Sequence, residues 1–123
     1  MKIALAERTD GARYLLCDSA AEPLRTEEDV MELIAASWEH DVYRVIIGEE
    51  ALSDEFFRLR SGLAGFALQK LVNYRIRTAA IIPNEAAIQG RAKEMLSELN
   101  QGRDFRVFAR LADAEAWLAG ESM

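Results

Sequence analysis

The sequence is poor in the residues from which most catalytic centres and secreted folds are built. One cysteine, Cys17, excludes an internal disulfide, and its place at the end of the apolar run Tyr14-Leu15-Leu16 predicts a buried structural thiol. One histidine, His40, cannot assemble a zinc site or a nucleophile–base–acid triad without partners that this chain lacks. At the end of a predicted helix, where positive charge is favoured, it reads as structural or solvent-facing. Basic residues are outnumbered, 15 against 21 acidic ones, so the net charge of −6 opposes the counterion-release attraction that drives binding to phosphate backbones. Long hydrophobic runs are missing at the start: Ile3-Ala4-Leu5-Ala6 is closed by Glu7, Arg8 and Asp10 before a signal-peptide core or a membrane span is complete. No metal, no cofactor, no nucleic acid and no membrane is therefore expected, and the protein is expected to be cytoplasmic.

What is present is an ordinary globular balance: 123 residues, half of them hydrophobic and 29% charged. That length predicts one domain over residues 1–123, able to bury roughly two thirds of the surface its unfolded chain exposes. Residues 2–6 and 12–17 read as two strands joined through Thr9-Asp10-Gly11, and Asp-Gly between apolar segments signals a hairpin. Thr26 with Asp29 three residues later resembles a capping box, and Val30, Leu33, Ile34 and Trp38 then recur at helical spacing, predicting a helix over about 27–39. Val42 to Gly48 and Ile76 to Ile82 are nearly continuous apolar runs, as expected of strands covered on both faces. Between them lie an acidic loop, Glu49 to Glu55, and a helix from near Ser61. Pro83-Asn84 ends the second run, and Ile88, Ala92, Met95, Leu96 and Leu99 line one side of a further helix that Gly102 terminates. Phe105 to Phe108 reads as a last strand, with Asp113 as cap of a closing helix carrying Ala116, Trp117 and Leu118. The order β-β-α-β-α-β-α-β-α predicts an α/β fold with a mixed, mostly parallel sheet and helices packed against it.

The run from Phe56 to Arg75 is the one stretch whose residues concentrate on a candidate site. It joins an aromatic pair, Phe56 and Phe57, to Arg58, Arg60, the small-residue turn Ser61-Gly62 with Leu63, Ala64 and Gly65, and an apolar helix that exits through Asn73, Tyr74 and Arg75. Ser61 can cap the first turn with its hydroxyl. The same geometry, with Arg58 or Arg60 beside the positive end of the helix dipole, can receive a small anion such as phosphate or a nucleotide. Gly62 and Gly65 allow close approach to the backbone, and are equally consistent with tight packing of helix on sheet. Leu63, Ala64, Phe66, Ala67, Leu68, Leu71 and Val72 wrap most of the helix in apolar surface. Either the aromatic loop folds over the second face, or that face meets a protein partner or a second copy of the chain, with Tyr74 and Arg75 adding contacts enriched at interfaces. Asp54 and Glu55 are adjacent acids without a second catalytic group, so no catalytic residue is assigned.

The hairpin start, the alternation that follows and the strand-to-helix junction on Ser61-Gly62-Leu63-Ala64 together resemble the STAS domains of anti-sigma-factor antagonists and sulfate transporters. The stretch Asp54 to Gly65, continuing through Leu68-Gln69-Lys70 to Asn73-Tyr74-Arg75, looks like a small bacterial family catalogued as domain of unknown function four-one-eight-zero, which is STAS-like (SpoIIAA-like). The resemblance to STAS domains implies a regulatory, protein-interaction role, while the small family has no established activity to carry over. The lack of a catalytic constellation points to a non-enzymatic module, with a small-ligand or anion sensor at the start of the second helix and an enzyme of unrecognised type as the alternatives. In antagonist STAS domains the matching junction carries a phosphorylatable Ser or Thr, usually preceded by Asp. Ser61 stands in that place here, preceded by Arg60.

Overall fold

The computed structural model describes residues 2–8, 10–52, 56, 62–83, 93–94, 97 and 103–120. Strands β1 (Ala4–Glu7), β2 (Arg13–Cys17), β3 (Arg44–Ile47), β4 (Arg77–Ile81) and β5 (Phe105–Phe108) form one sheet in the order β1-β2-β3-β4-β5. Helices α1 (Glu27–His40), α2 (Leu63–Asn73) and α3 (Leu111–Leu118) pack on it, so the fold is mixed α/β. β1 runs antiparallel to β2, while β2, β3, β4 and β5 pair in parallel.

The hairpin forms where Asp10-Gly11 reverses the chain. Gly11 takes φ 89°, a left-handed conformation that costs glycine little. The Arg8 N–H donates to the Ala12 carbonyl (2.8 Å), and Asp10 Oδ1 accepts from the Ala12 N–H (3.1 Å). Both strands read from the sequence are present with their ends shifted by a residue or two.

Helix α1 starts on the capping box that Thr26 and Asp29 suggest. The Asp29 N–H donates to Thr26 Oγ1 (3.1 Å), and the Asp29 carboxylate accepts from the N–H groups of Thr26 (3.0 Å) and Arg25 (2.9 Å). Burial pulls the Asp29 carboxyl upward, but these backbone donors outweigh it and hold it below its ordinary value. The contribution is therefore full above the usual carboxylate range and is lost as pH falls through the lowered pKa. The predicted cap of α3 is corrected: the helix begins one turn earlier, on Arg110 without a side-chain cap, and Asp113 lies inside its first turn. There its charge still faces the positive helix end.

The two continuous apolar runs are explained by two helical layers. Leu15, Cys17, Val45 and Ile47 point to one face and join Val30, Leu33, Ile34, Leu63, Ala67 and Leu71 from α1 and α2. Tyr14, Ile46 and Ala79 point to the other and pack on Ala114, Trp117 and Leu118 of α3. Two same-handed crossovers that advance in one direction place their helices on one face, which is why α1 and α2 share a layer. Burial pushes the Cys17 thiol up to about 12, with Asp18 adding to the shift, so it is an unreactive core group. The acidic segment after β3 is partly ordered as a 3₁₀ turn, Glu49–Ala51, followed by a bridge of Leu52 to Leu24. Its end at 53–55 lies outside the described residues, as do Asn84, Gly102 and most of the predicted helix between them. In that span Lys93 and Glu94 are helical and exposed. Among the described residues no helix is long and apolar enough to cross a membrane.

Two substitutions test this packing. Thr26→Ala removes one of the reciprocal cap bonds and should cost about 0.5–2 kcal/mol, read as a lower urea midpoint at unchanged slope. The Thr78 hydroxyl is buried with no hydrogen-bond partner among the described residues. Thr78→Val keeps its shape and deletes an unpaired polar group, so it should stabilise by about 1–3 kcal/mol, seen as a higher melting temperature.

Candidate functional site

The start of α2 differs from the expectation built on Ser61. The N-cap is Gly62, at φ 69° in the left-handed region, and it has no side chain with which to accept from the first turn. Ser61, Phe57, Arg58 and Arg60 lie outside the described residues. Phe56 is 2% exposed and belongs to the core beneath α1 and α2, so it supports the helix from below instead of facing a partner. Leu63 is buried in the same cluster. Gly65 is exposed, and a Cβ built there meets no described atom within 4 Å, so tight packing does not require glycine at that position.

Most of the apolar wrap of α2 is consumed inside the molecule. Leu63, Ala64, Ala67 and Leu71 face α1 and the sheet, and Leu68 packs toward Ala80, Ile82, Phe105 and Val107. Phe66 is half-buried, with the Lys70 ammonium 5.7 Å from its ring centroid. Val72, 45% exposed, is the one large apolar side chain of the helix that is exposed.

The other end of the run is where chemistry collects. Asn73 is exposed, and Tyr74 meets Trp38 of α1 edge to face, with ring centroids 5.2 Å apart. Trp38 is 56% exposed, an unusual position for a side chain of that size. Both helices close here in the same way. Asp41 after α1 and Arg75 after α2 adopt φ 54° and 57°, and the next N–H in each, from Val42 and Ile76, returns to the carbonyls of Ser37 and Leu71. Glycine is the usual residue at such a closure; here both positions carry a charged side chain.

Asp41 and Arg75 open onto a cleft of about 490 Å³ lined also by Arg13, Arg44, Arg77 and Tyr43. The parallel sheet assembles it. Strands β2, β3 and β4 each begin with arginine, and all three begin at the same end of the molecule. Arg44 and Arg77 are register partners on neighbouring strands. The Arg77 guanidinium lies 4.3 Å from the centroid of Trp117, which braces it from the α3 side. Glu115 of α3 is committed elsewhere: its carboxylate accepts from the Tyr14 hydroxyl (2.7 Å) and its carbonyl from Arg8 (3.3 Å). Burial and then this bond to an anion push the Tyr14 phenol up to about 12. Among the described candidate site residues read from the sequence, Arg75 alone lines the cleft. Arg13, Arg44 and Arg77 were missed, though an arginine one or two residues into three of the predicted strands is a readable signal.

The pattern of the family described as Domain of unknown function (DUF4180) matches residues 9–118. The chain belongs to that family. Comparison with curated proteins and with solved structures finds no match. Membership fixes no activity, so the site has to be judged on its own chemistry. Among the described residues no group of three or more His, Cys, Asp or Glu is placed to hold a metal ion.

Gly65 offers a direct check on the start of α2. With open space around its missing side chain, Gly65→Ala should stabilise the helix by about 0.5–1 kcal/mol, measured by denaturant titration.

Proposed function

We propose that the protein is a non-enzymatic, cytoplasmic, STAS-like interaction module that regulates by engaging a protein partner through the end where α1 and α2 stop. The observation that carries this reading is Trp38, which is 56% exposed and held edge-on by Tyr74. An exposed indole fixed by a second ring presents a large apolar area at little ordering cost, and Trp, Tyr and Arg are the residues that dominate interface energetics. Arg75 follows Tyr74 directly and is exposed, so a cation stands at the border of the aromatic pair. The occupant we favour is a partner segment with apolar side chains and a carboxylate, because the exposed Arg75 directly follows Tyr74 at the exit of α2.

The STAS-like part of the reading is supported by an antiparallel hairpin leading into parallel strands and by the glycine-led start of α2 after β3. A switch at Ser61 belongs to the same proposal, and so does the alternative in which a second copy of the chain occupies the patch.

Cross-linking in the native cell, with wild type, Trp38→Ala and Gly65→Ala as parallel baits, tests the patch. Partners held by Trp38 should be lost from the Trp38→Ala bait by about tenfold or more and kept by Gly65→Ala. Equal capture by all three baits would refute the aromatic patch as the interface. Sedimentation of the purified chain separates the occupants, since a dimer that Trp38→Ala dissolves would make the partner a second copy.

A further inference from the structure

We infer that the arginine cleft at the start of the parallel strands binds a small phosphomonoester, a function that goes beyond the partner patch and does not depend on it. Arg13, Arg44, Arg75 and Arg77 line a cleft of about 490 Å³ at the margin of the sheet, within the roughly 300–1,000 Å³ typical of small-molecule sites. Against them stand Asp41 in the lining, Glu7, which is the cross-strand partner of Arg13, and the carboxyl ends of α1 and α2, each helix end worth roughly half a negative charge. Asp10, in the adjoining turn, is taken up by the Ala12 N–H and lies 3.7 Å from Arg8. The cleft thus keeps a net positive charge in a chain whose net charge is −6.

Three observations separate this cluster from a solvated rim. Arg44 and Arg77 face each other across neighbouring strands, an arrangement of like charges that repels unless an anion lies between them. With 21 acidic residues in the chain, carboxylates for neutralising them are plentiful, yet none of the four arginines forms an ion pair with a described residue. Arg75 and Asp41 occupy left-handed backbone, where glycine would relieve strain, and both line the cleft. Trp117 holds the Arg77 guanidinium in place before any ligand arrives, which lowers the ordering cost of binding.

The chemistry of the lining selects the ligand class. Guanidinium groups pair two-pronged with phosphate oxygens, and a dianion answers several of them at once. Asp41 can accept from a ligand hydroxyl, and the half-exposed ring of Tyr43 offers a flat face to the organic part. A polyanion such as nucleic acid is disfavoured by the acidic remainder of the surface.

The test is titration of the full chain with inorganic phosphate and with phenyl phosphate, against sodium chloride at equal ionic strength, followed by amide NMR and thermal melting. Phosphate should raise the melting temperature where chloride does not, and should first shift amides of residues 43–45 and 75–77. Phenyl phosphate should bind more tightly than phosphate if Tyr43 receives the organic part. Arg44→Gln should weaken binding roughly tenfold or more. Arg75→Gly should weaken it while leaving the melting temperature unchanged or higher, because φ 57° suits glycine. Arg8→Gln, outside the cleft, should leave affinity intact. Equal effects of phosphate and chloride, first shifts elsewhere, or undiminished binding by both cleft variants would overturn the proposal. The partner reading fails separately, since Trp38→Ala should keep phosphate binding and Arg44→Gln should keep the aromatic patch.

Discussion

The enclosure of β3 on both faces is the constraint on which the rest of the molecule depends. Val45 and Ile47 are completely or almost completely buried under α1 and α2, and Ile46 is equally buried under α3. Burying one such side chain fully is worth roughly 1.5–3 kcal/mol, so leaving either face of the central strand in water would cost a large share of a small domain's stability. Covering both faces needs helices on both sides. Parallel neighbours supply them, because every parallel crossover must carry the chain back the length of the sheet. β2, β3 and β4 therefore start at one end, and the helices that return the chain finish there too.

That geometry explains why charge gathers at the strand starts. The first residue of each strand lies at the margin of the covered area, where a long side chain can bury its stem and keep its head in water. Arg13, Arg44 and Arg77 use this margin, and the sheet register then sets the spacing of their heads. At the opposite end the packing is closer: a Cβ on Gly48 would come within 2.8 Å of the Asp18 Cβ, so β2 and β3 leave the sheet nearly in contact. The two ends of the sheet therefore differ in kind, one wide and basic, the other narrow around Gly48.

The parts of the fold legible in the sequence are those written in neighbouring residues. Asp10-Gly11 marks the hairpin, Thr26 and Asp29 mark the start of α1, and the β-branched run before Gly48 marks a strand hidden on both faces. What was illegible depends on contacts between distant residues. The apolar excess of α2 left two readings open, cover by the aromatic loop or an interface, because periodicity places neither Phe56 in the core with it nor the β4–β5 margin beside Leu68. Asp113 has the chemistry of a cap, but the chain turns helical already after Arg110, so it falls inside the helix. The candidate site was half visible: Tyr74 and Arg75 were marked by type, whereas Trp38 and Arg44 acquire their meaning only when α1, α2 and β3 are assembled.

The two tryptophans divide the molecule in a way that bears on how it can be observed. Trp117 is buried and has the guanidinium groups of Arg77 and Arg106 within 4.3 and 5.9 Å of its ring centroid. Trp38 stands mostly in water on the opposite layer, against Tyr74. The indole in the core senses the field of the cations beside it, and the outer indole senses solvent. The chain thus carries two intrinsic fluorophores of different colour, one tuned by the electrostatics of the cleft and the other by whatever covers the ends of α1 and α2.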